Sequence, residues 1–393
     1  MFLPELIEQK SEDLIIEPGY GYYDELWEIP TKADTKYLSH GYYRYIGKFP
    51  PQIARELIKS YAKPGMTILD PMCGGGTTLI EARLAGCDVT GCDVNPVSLL
   101  ISKVVSTEID PVILNNHVQE LTQQILQFDD SSLFHNPKRK KTIKLGDNEK
   151  YFTEDGLEKI TLLMDWFDSL ENEEVKDFFT VALLAILRQV SRANVKKMNV
   201  TIDETKKVRD VFETYMKQVK KMQDINSQLK GKFTDTNVEL IKQDARQLPF
   251  PDESFDMVII HPPYLSNTAF SESTQLQLAV MGIKQKAIWK DELKARGSYA
   301  SVSDGLRKYL VGWHSILKEA YRVLKPGGIC AIENGDGQID YVRIPVGTIT
   351  REFATDIGFS IEKHALHKIN NNTGRTLTHK MKDHHIVVMR KGE

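Results

Sequence analysis

The run His261-Pro262-Pro263-Tyr264 brings three kinds of chemical group together. The ring nitrogen of a neutral histidine and the carbonyl of Pro262 are hydrogen-bond acceptors, and they match the two hydrogens of an amino group. The tyrosine ring offers a stacking surface to a planar ligand, and the consecutive prolines stiffen the backbone. The run directly follows an apolar segment, residues 255–260. We therefore predict that it lies at the end of a strand.

Three acidic residues, Asp70, Asp93 and Asp244, also follow short apolar segments. Gly74–Gly76 would let the backbone approach a ligand closely, although a tight turn alone would need the same residues. No phosphate-binding lysine follows these glycines, and an acid at this position repels phosphate and favours a cation. Asp93 lies 17 residues after the last glycine, near the spacing at which a carboxylate binds ribose hydroxyls. Asp244 taken alone is equally consistent with a helix cap or a turn.

Alternating strands and helices must position these residues. Short apolar runs predict the strands Met66–Leu69, Asp88–Asp93, Val238–Ile241, Phe255–Ile260, Gly328–Ile332, Phe359–His364 and His385–Met389. Apolar residues at helical spacing predict the helices Pro51–Tyr61, Thr77–Leu84 and Leu306–Leu324, and Lys325–Gly328 is predicted to be a turn. Ligands bind at the carboxyl ends of strands in an open α/β sheet, so the strand-end residues would share one site.

The strand pattern is interrupted once, by a long helical stretch. We predict a Tyr-rich lead-in at residues 1–47, a catalytic core at residues 48–104 and 234–393, and a helical insertion at residues 105–233. The insertion carries a polar basic segment at residues 137–141. It is a candidate for target recognition or for a clamp around nucleic acid.

Composition limits the class of protein. The 393 residues are 41% hydrophobic and 27% charged, and the net charge of −3 confines any nucleic-acid surface to a local patch. The four cysteines lack C-x-x-C spacing, so we expect no metal site and a reducing, cytoplasmic environment. No apolar run approaches the roughly 18 residues of a membrane span, and the N-terminal sequence does not fit a signal peptide.

Several segments together resemble the S-adenosylmethionine-dependent DNA amino-methyltransferases. Residues 68–78 resemble their D-P-F-x-G-x-G-T motif, residues 91–96 their next motif, and residues 261–264 their catalytic (D/N/S)-P-P-(Y/F) motif. Residues 40–52 are similar to the cofactor-binding segment of N4-cytosine members, and residues 384–391 to the closing strand. The resemblance therefore covers both parts of the predicted core.

This resemblance implies a fold, a cofactor and residue roles. The fold would be α/β, a Rossmann-like class I methyltransferase with a mostly parallel seven-stranded sheet and a helical insertion. Phe49 and the glycine motif would bracket the methionine part of S-adenosylmethionine, Asp70 would face its amino group, Asp93 its ribose hydroxyls and Asp244 its adenine amine. The full cofactor set is Lys48, Phe49, Pro50, Asp70, Pro71, Met72, Cys73, Gly74, Gly76, Thr77, Thr78, Asp93, Val94, Asp244 and Ala245. The catalytic set is His261, Pro262, Pro263 and Tyr264.

His261 departs from the family pattern, because Asp, Asn or Ser is usual at the first catalytic position. A histidine must be neutral to accept a hydrogen bond, so we expect activity to fall as pH drops through the range in which histidine titrates, about pH 6.5. The expected reaction is methylation of a DNA amino group, with N4 of cytosine slightly ahead of N6 of adenine, in a restriction-modification or defence system. An RNA base-amine methyltransferase and a catalytically silent nucleic-acid-binding subunit are alternatives. Methylation at C5 is disfavoured, because that family usually places a cysteine nucleophile after a proline and this chain has no Pro-Cys pair.

Basic clusters are candidate contacts to nucleic acid, DNA first and RNA second. They are Lys138–Lys141 with Lys144; Arg188, Arg192, Lys196 and Lys197; Lys206, Lys207 and Arg209; and Lys284, Lys286, Lys290, Lys294 and Arg296. Any single cluster is also consistent with a solvated helix face. We favour a functional role for residues 265–300, because they directly follow the catalytic run.

Overall fold

The computed structural model describes residues 25–26, 34–132, 143–265, 269–293, 302–339, 342–368 and 383–393. Its strands are β1 (Glu25–Leu26), β2 (Thr67–Asp70), β3 (Asp88–Asp93), β4 (Val238–Lys242), β5 (Phe255–Ile260), β6 (Leu324–Gly335), β7 (Gly337–Ile339), β8 (Val342–Ile344), β9 (Phe359–Lys368) and β10 (Asp383–Lys391). One sheet has the order β1-β9-β10-β6-β5-β2-β3-β4, and β7 and β8 pair separately.

The α-helices connect these strands and cover the sheet. They are α1 (Pro51–Tyr61), α2 (Thr77–Leu84), α3 (Pro96–Val105), α4 (Pro111–Ser132), α5 (Glu154–Asp168), α6 (Glu173–Ile186), α7 (Val211–Leu229), α8 (Phe270–Ser273), α9 (Gln275–Val280), α10 (Gln285–Trp289), α11 (Val302–Val323) and α12 (Val346–Ile357). The predicted bounds of α1 and α2 are confirmed. Pro51 suits a first helical position, because its missing N–H would have no partner there.

Strands β2 to β6 run parallel, and β10 is antiparallel to both of its neighbours, β6 and β9. The chain runs outward from β2 through β3 to β4 and then returns to pair β5 with β2, which makes the β2/β5 boundary a topological switch point. Ligands bind at such a point. The mostly parallel, Rossmann-like fold is confirmed. The predicted seven strands gain an eighth, β1, whose two residues are too few to form a strand pattern in the sequence.

The predicted turn at Lys325–Gly328 lies inside β6 as a bulge, so this prediction is corrected. Leu324 pairs with Phe255 and Ile329 pairs with Met257, and the register shifts between these pairs. Gly327, at φ +72°, has a left-handed backbone conformation within the bulge. The glycines therefore signalled a local kink, and the strand continues on both sides of it.

The predicted insertion packs directly on the core. Phe178 of α6 and Tyr215 of α7 share one buried apolar cluster with Val97 and Ile101 of α3. The side-chain amide of Asn226 bonds both the N–H and the carbonyl of Ile109, at 3.2 and 2.7 Å. The helices that separate β3 from β4 are thus held against the helix that follows β3.

Two expectations from composition concern cysteines and membrane spans. All four cysteines are buried and unpaired, which fits their interpretation as small apolar residues. In the part of the chain that the structure describes, no helix has the length and apolar character to span a bilayer.

Candidate active site

A single pocket, here called the central pocket, opens at the carboxyl ends of β2, β3, β4 and β5. Fifteen of the predicted site residues line it: Lys48, Phe49, Asp70, Pro71, Met72, Cys73, Gly74, Thr77, Asp93, Val94, Asp244, Ala245, His261, Pro263 and Tyr264. Four predicted residues, Pro50, Gly76, Thr78 and Pro262, are not among its lining residues. Gly76 instead faces α3, where an added Cβ would lie 2.7 Å from Val105.

Asp70 and Asp93 end neighbouring strands and point their carboxylates into the central pocket. Asp93 accepts the N–H groups of Gly74 and Asn95, at 3.0 and 2.7 Å, so both of its oxygens are fixed. Burial, together with the nearby Glu292 and Asp70 carboxylates, raises the pKa of Asp93 to about 7. Burial also raises the pKa of Asp70 to about 6. The pocket is therefore unfavourable for its own carboxylates until a cation enters it.

Tyr45 packs against the glycine turn. An added Cβ on Gly75 would lie 2.9 Å from Cβ and Cγ of Tyr45, which explains why a side chain does not fit there. The Tyr45 hydroxyl is 2.8 Å from Oγ of Ser98, and its ring stacks on Phe270 with centroids 5.7 Å apart. Sequence reasoning placed Tyr45 in the cofactor-like segment 40–52 and Gly75 in the glycine run, but it gave neither of them, nor Phe270, an individual role.

Residues 269–293, which follow the catalytic run, form one wall of the central pocket. Ala269, Phe270, Asp291, Glu292 and Leu293 line it. The carboxylate oxygens of Glu292 accept hydrogen bonds from the N–H and the hydroxyl of Ser271, at 2.7 and 2.6 Å. These bonds join the two ends of the segment. The predicted contact residues Lys284, Lys286 and Lys290 are exposed, while Lys294, Arg296 and Lys138–Lys141 lie outside the described residues.

Asp244, predicted to bond an adenine amine, has a cation beside it. The Arg246 guanidinium donates from Nε to both of its carboxylate oxygens, at 2.9 and 3.0 Å. Arg246 also lines the central pocket and bonds the carbonyl of Asp291 at 3.0 Å. Asp244 is therefore oriented by its neighbour two residues along the chain.

His261 is clamped on three sides. Its ring stacks on Phe49, with centroids 5.1 Å apart and planes at 8°, and meets the Tyr264 ring edge-on at 5.4 Å. Nε2 is 2.7 Å from Oε2 of Glu333 and 3.0 Å from the Tyr264 hydroxyl. A neutral ring that donates Nε2–H to this carboxylate keeps its lone pair on Nδ1. Among the described residues, no hydrogen bond to Nδ1 is found.

Glu333 is the centre of a buried polar cluster formed by His261, Tyr264, Glu333 and His384. Its side chain is completely buried, and it accepts hydrogen bonds from Nε2 of His261, from Nδ1 of His384 and, at 3.3 Å, from the Tyr264 hydroxyl. Burial alone would raise the pKa of Glu333, but the two imidazoles hold it below its usual range. The carboxylate is thus ionised and fixes the rings around it.

The residues that sequence reasoning missed fall into two groups. Glu333 follows a predicted strand, Gly328–Ile332, so the rule that selected the other strand-end residues would have reached it. Its partner His384 carries no such signal, because its position depends on the pairing of β10 with β6. The pocket residues Tyr45, Gly47, Gly75, Asn95, Gln243, Arg246, Ala269, Phe270, Asp291, Glu292, Leu293 and Ile316 are the remainder. Among the described residues, no group of three or more His, Cys, Asp or Glu side chains is arranged to hold a metal ion.

Comparisons with known proteins show which families and relatives this chain is similar to. A family model described as DNA methylase matches residues 5–103, and one described as methyltransferase domain matches residues 212–374. The Type II methyltransferase M.MvaI of Kocuria varians is 27% identical over 64% of this chain and 59% of its own length. The Type II methyltransferase M.BsoBI of Geobacillus stearothermophilus is 22% identical over 89% of this chain and 84% of its own length. The Type II methyltransferase M.MjaII of Methanocaldococcus jannaschii is 32% identical over 32% of this chain and 24% of its own length. The chain thus spans about three fifths of M.MvaI.

Proposed function

Because the chain belongs to the family of DNA amino-methyltransferases, we propose that it transfers a methyl group from S-adenosylmethionine to an exocyclic amine of a DNA base. One observation carries the proposal. The acidic residues Asp70 and Asp93 line the same pocket at the switch point of the sheet as His261, Pro263 and Tyr264 of the catalytic run.

The chemistry of the central pocket fits this cofactor. S-adenosylmethionine, when bound, supplies a methyl group on a positively charged sulfonium and also carries an ammonium group. Asp70 and Asp93, whose pKa values burial raises to about 6 and about 7, gain from a cation beside them. We propose that Asp70 binds the ammonium, Asp93 the ribose hydroxyls and Asp244 the adenine amine. Phe49 and the glycine turn would bracket the methionine part.

The catalytic run then holds the target amine. The amine lone pair is delocalised into the base ring, so it must be oriented toward the methyl group. We propose that Nδ1 of His261 and the carbonyl of Pro262 accept the two amine hydrogens, while the Tyr264 ring stacks on the extruded base. The Tyr264 hydroxyl bonds Glu333 and lies 2.9 Å from Nδ1 of His384, which supports a fixed orientation of the ring. Glu333 is a positioning residue in this scheme.

We propose N4 of cytosine as the preferred target, because residues 40–52 are similar to the cofactor segment of N4-cytosine enzymes. A restriction-modification role in the cytoplasm is proposed with it, since the relatives above are named Type II methyltransferases.

The test is expression in a host that lacks DNA methylation, followed by mass spectrometry of nucleosides from its DNA and RNA. N4-methylcytosine in DNA supports the full proposal, and N6-methyladenine in DNA would support the reaction but overturn the cytosine assignment. A methylated amine found only in RNA would overturn the DNA substrate. The His261→Leu variant serves as the control for host background.

A further inference from the structure

Residues 188–209, which form most of the connection between α6 and α7, are here called the cationic loop. It contains seven Lys or Arg side chains against two carboxylates, in a chain with a net charge of −3. The roles proposed for the central pocket do not use these charges. A surface that departs so far from the charge of the whole protein is suited to a polyanion.

Two of these cations hold the cationic loop in shape. Nζ of Lys206 donates to the carbonyls of Ser191 and Ala193, at 2.6 and 2.8 Å. The Arg188 guanidinium donates to the carbonyls of Lys197 and Ser273, at 2.7 and 2.8 Å. The loop is therefore fixed internally and tied to α8, which lies beside the central pocket.

The tip of the cationic loop combines apolar and basic side chains. Val195 and Met198 are 41% and 36% exposed and flank the exposed Lys196 and Lys197. Together with Ile202, this loop holds three of the seven exposed large hydrophobic residues in the described chain. On binding DNA, the apolar side chains could insert between base steps, which would remove their surface from water. The lysines would then contact the phosphates.

The tip also lies next to the central pocket. Val195 to Met198 line a cleft of about 320 Å³ whose other walls include Tyr45 and Phe270. The same two rings line the central pocket, and they stack on each other at 5.7 Å. One aromatic pair therefore separates a ligand on the loop from the pocket that contains His261.

We propose that the cationic loop is a DNA-binding wedge. Lys196 and Lys197 contact phosphates, and Val195 and Met198 insert beside the target nucleotide and stabilise the gap that it leaves when it rotates into the central pocket. This inference rests on the proposed function, and it adds the element that opens the duplex.

Two double variants separate the two roles of the tip. Replacement of Lys196 and Lys197 by Ala should lower the slope of log Kd against log salt by about two for a fluorescein-labelled mixed-sequence DNA duplex. The matched control replaces Lys217 and Lys220 of α7 by Ala; both lysines are exposed, at 74% and 67%, and paired within their own helix. An unchanged salt slope in the loop variant, or an equal change in the control, would overturn the phosphate contacts.

The second variant replaces Val195 and Met198 by Ser. On a duplex with the sequence methylated in the host assay, its single-turnover methylation should slow by on the order of tenfold. A mispaired target base should restore the rate, because extrusion then costs less. The control replaces Val112 and Leu126, which are 68% and 60% exposed on α4, by Ser. If wild type and the loop variant methylate the paired target at the same rate, and the mispaired target also at the same rate, the wedge is overturned.

Failure of the wedge and failure of the proposed function give different results. If the wild-type protein transfers no methyl group to any DNA, the proposed function fails. If it methylates DNA and both loop variants behave as the controls do, only the wedge fails. If the lysine variant loses binding to single-stranded RNA but keeps duplex DNA binding, the DNA partner is wrong. Kd for S-adenosylmethionine should match wild type in every variant, because the substituted side chains lie outside the central pocket. Tm should also match, because these side chains are exposed.

Discussion

Binding of S-adenosylmethionine should weaken steeply between pH 7.5 and pH 6. The pKa values of Asp93 and Asp70 are raised to about 7 and about 6, so both carboxyls gain protons as the pH falls through this window. At pH 6 Asp93 is about nine-tenths protonated and Asp70 about half. If only the doubly ionised pocket binds the cationic ligand, Kd rises about 15-fold, or about 1.6 kcal/mol.

Isothermal titration calorimetry at both pH values measures this shift, and circular dichroism checks that the fold is intact. The Asp93→Asn variant is the matched control. It should bind weakly at pH 7.5 and keep only the roughly twofold pH effect of Asp70. Titration of the ligand's own amine is common to both proteins and cancels in the comparison. An equal Kd for wild type at the two pH values, or a full 15-fold effect in the variant, would refute the assignment of the pH effect to Asp93.

Two further predictions concern the polar cluster and the glycine turn. Glu333→Gln should lower kcat by about 10- to 100-fold and leave Kd for S-adenosylmethionine within about twofold, because the amide no longer fixes His261; Glu333→Asp should recover part of the rate, and an unchanged kcat would contradict the positioning role. Gly76→Ala should cost about 2–4 kcal/mol in urea unfolding, since its Cβ would lie 3.0 Å from Cα of Ser102 at φ +77°. Gly65→Ala, at φ +84° with nothing within 4 Å, should cost about 1 kcal/mol, and equal losses would rule out crowding as the cause.

The sequence predicts the centre of the site well for a physical reason. Parallel strands covered on both faces are continuous apolar runs, so the first polar residue after each run marks its carboxyl end. Asp70 and Asp93 are the last residues of β2 and β3, and His261 directly follows β5. The switch point of the sheet then brings those ends into one pocket.

The walls of the pocket are not predictable by the same rule. Tyr45, Phe270 and Glu292 belong to segments without a strand or helix period, and their places depend on contacts with distant parts of the chain. The sequence indicates that Gly75 either lets a ligand approach the backbone or forms a tight turn, but the close approach of the Tyr45 ring is what excludes a side chain. The shape of the pocket is therefore a property of tertiary packing, whereas its acids are a property of local sequence.

The polar cluster also constrains the order in which this protein can fold. Tyr264 contacts Glu333 across 69 residues and His384 across 120. Closing loops of this length costs more entropy than forming local turns, so we expect these contacts to form after the local helices. A partly folded chain, even one with its helices complete, has no assembled cluster around His261. The proposed methyl transfer therefore depends on the pairing of β5, β6 and β10, and a chain without that pairing should be inactive toward DNA.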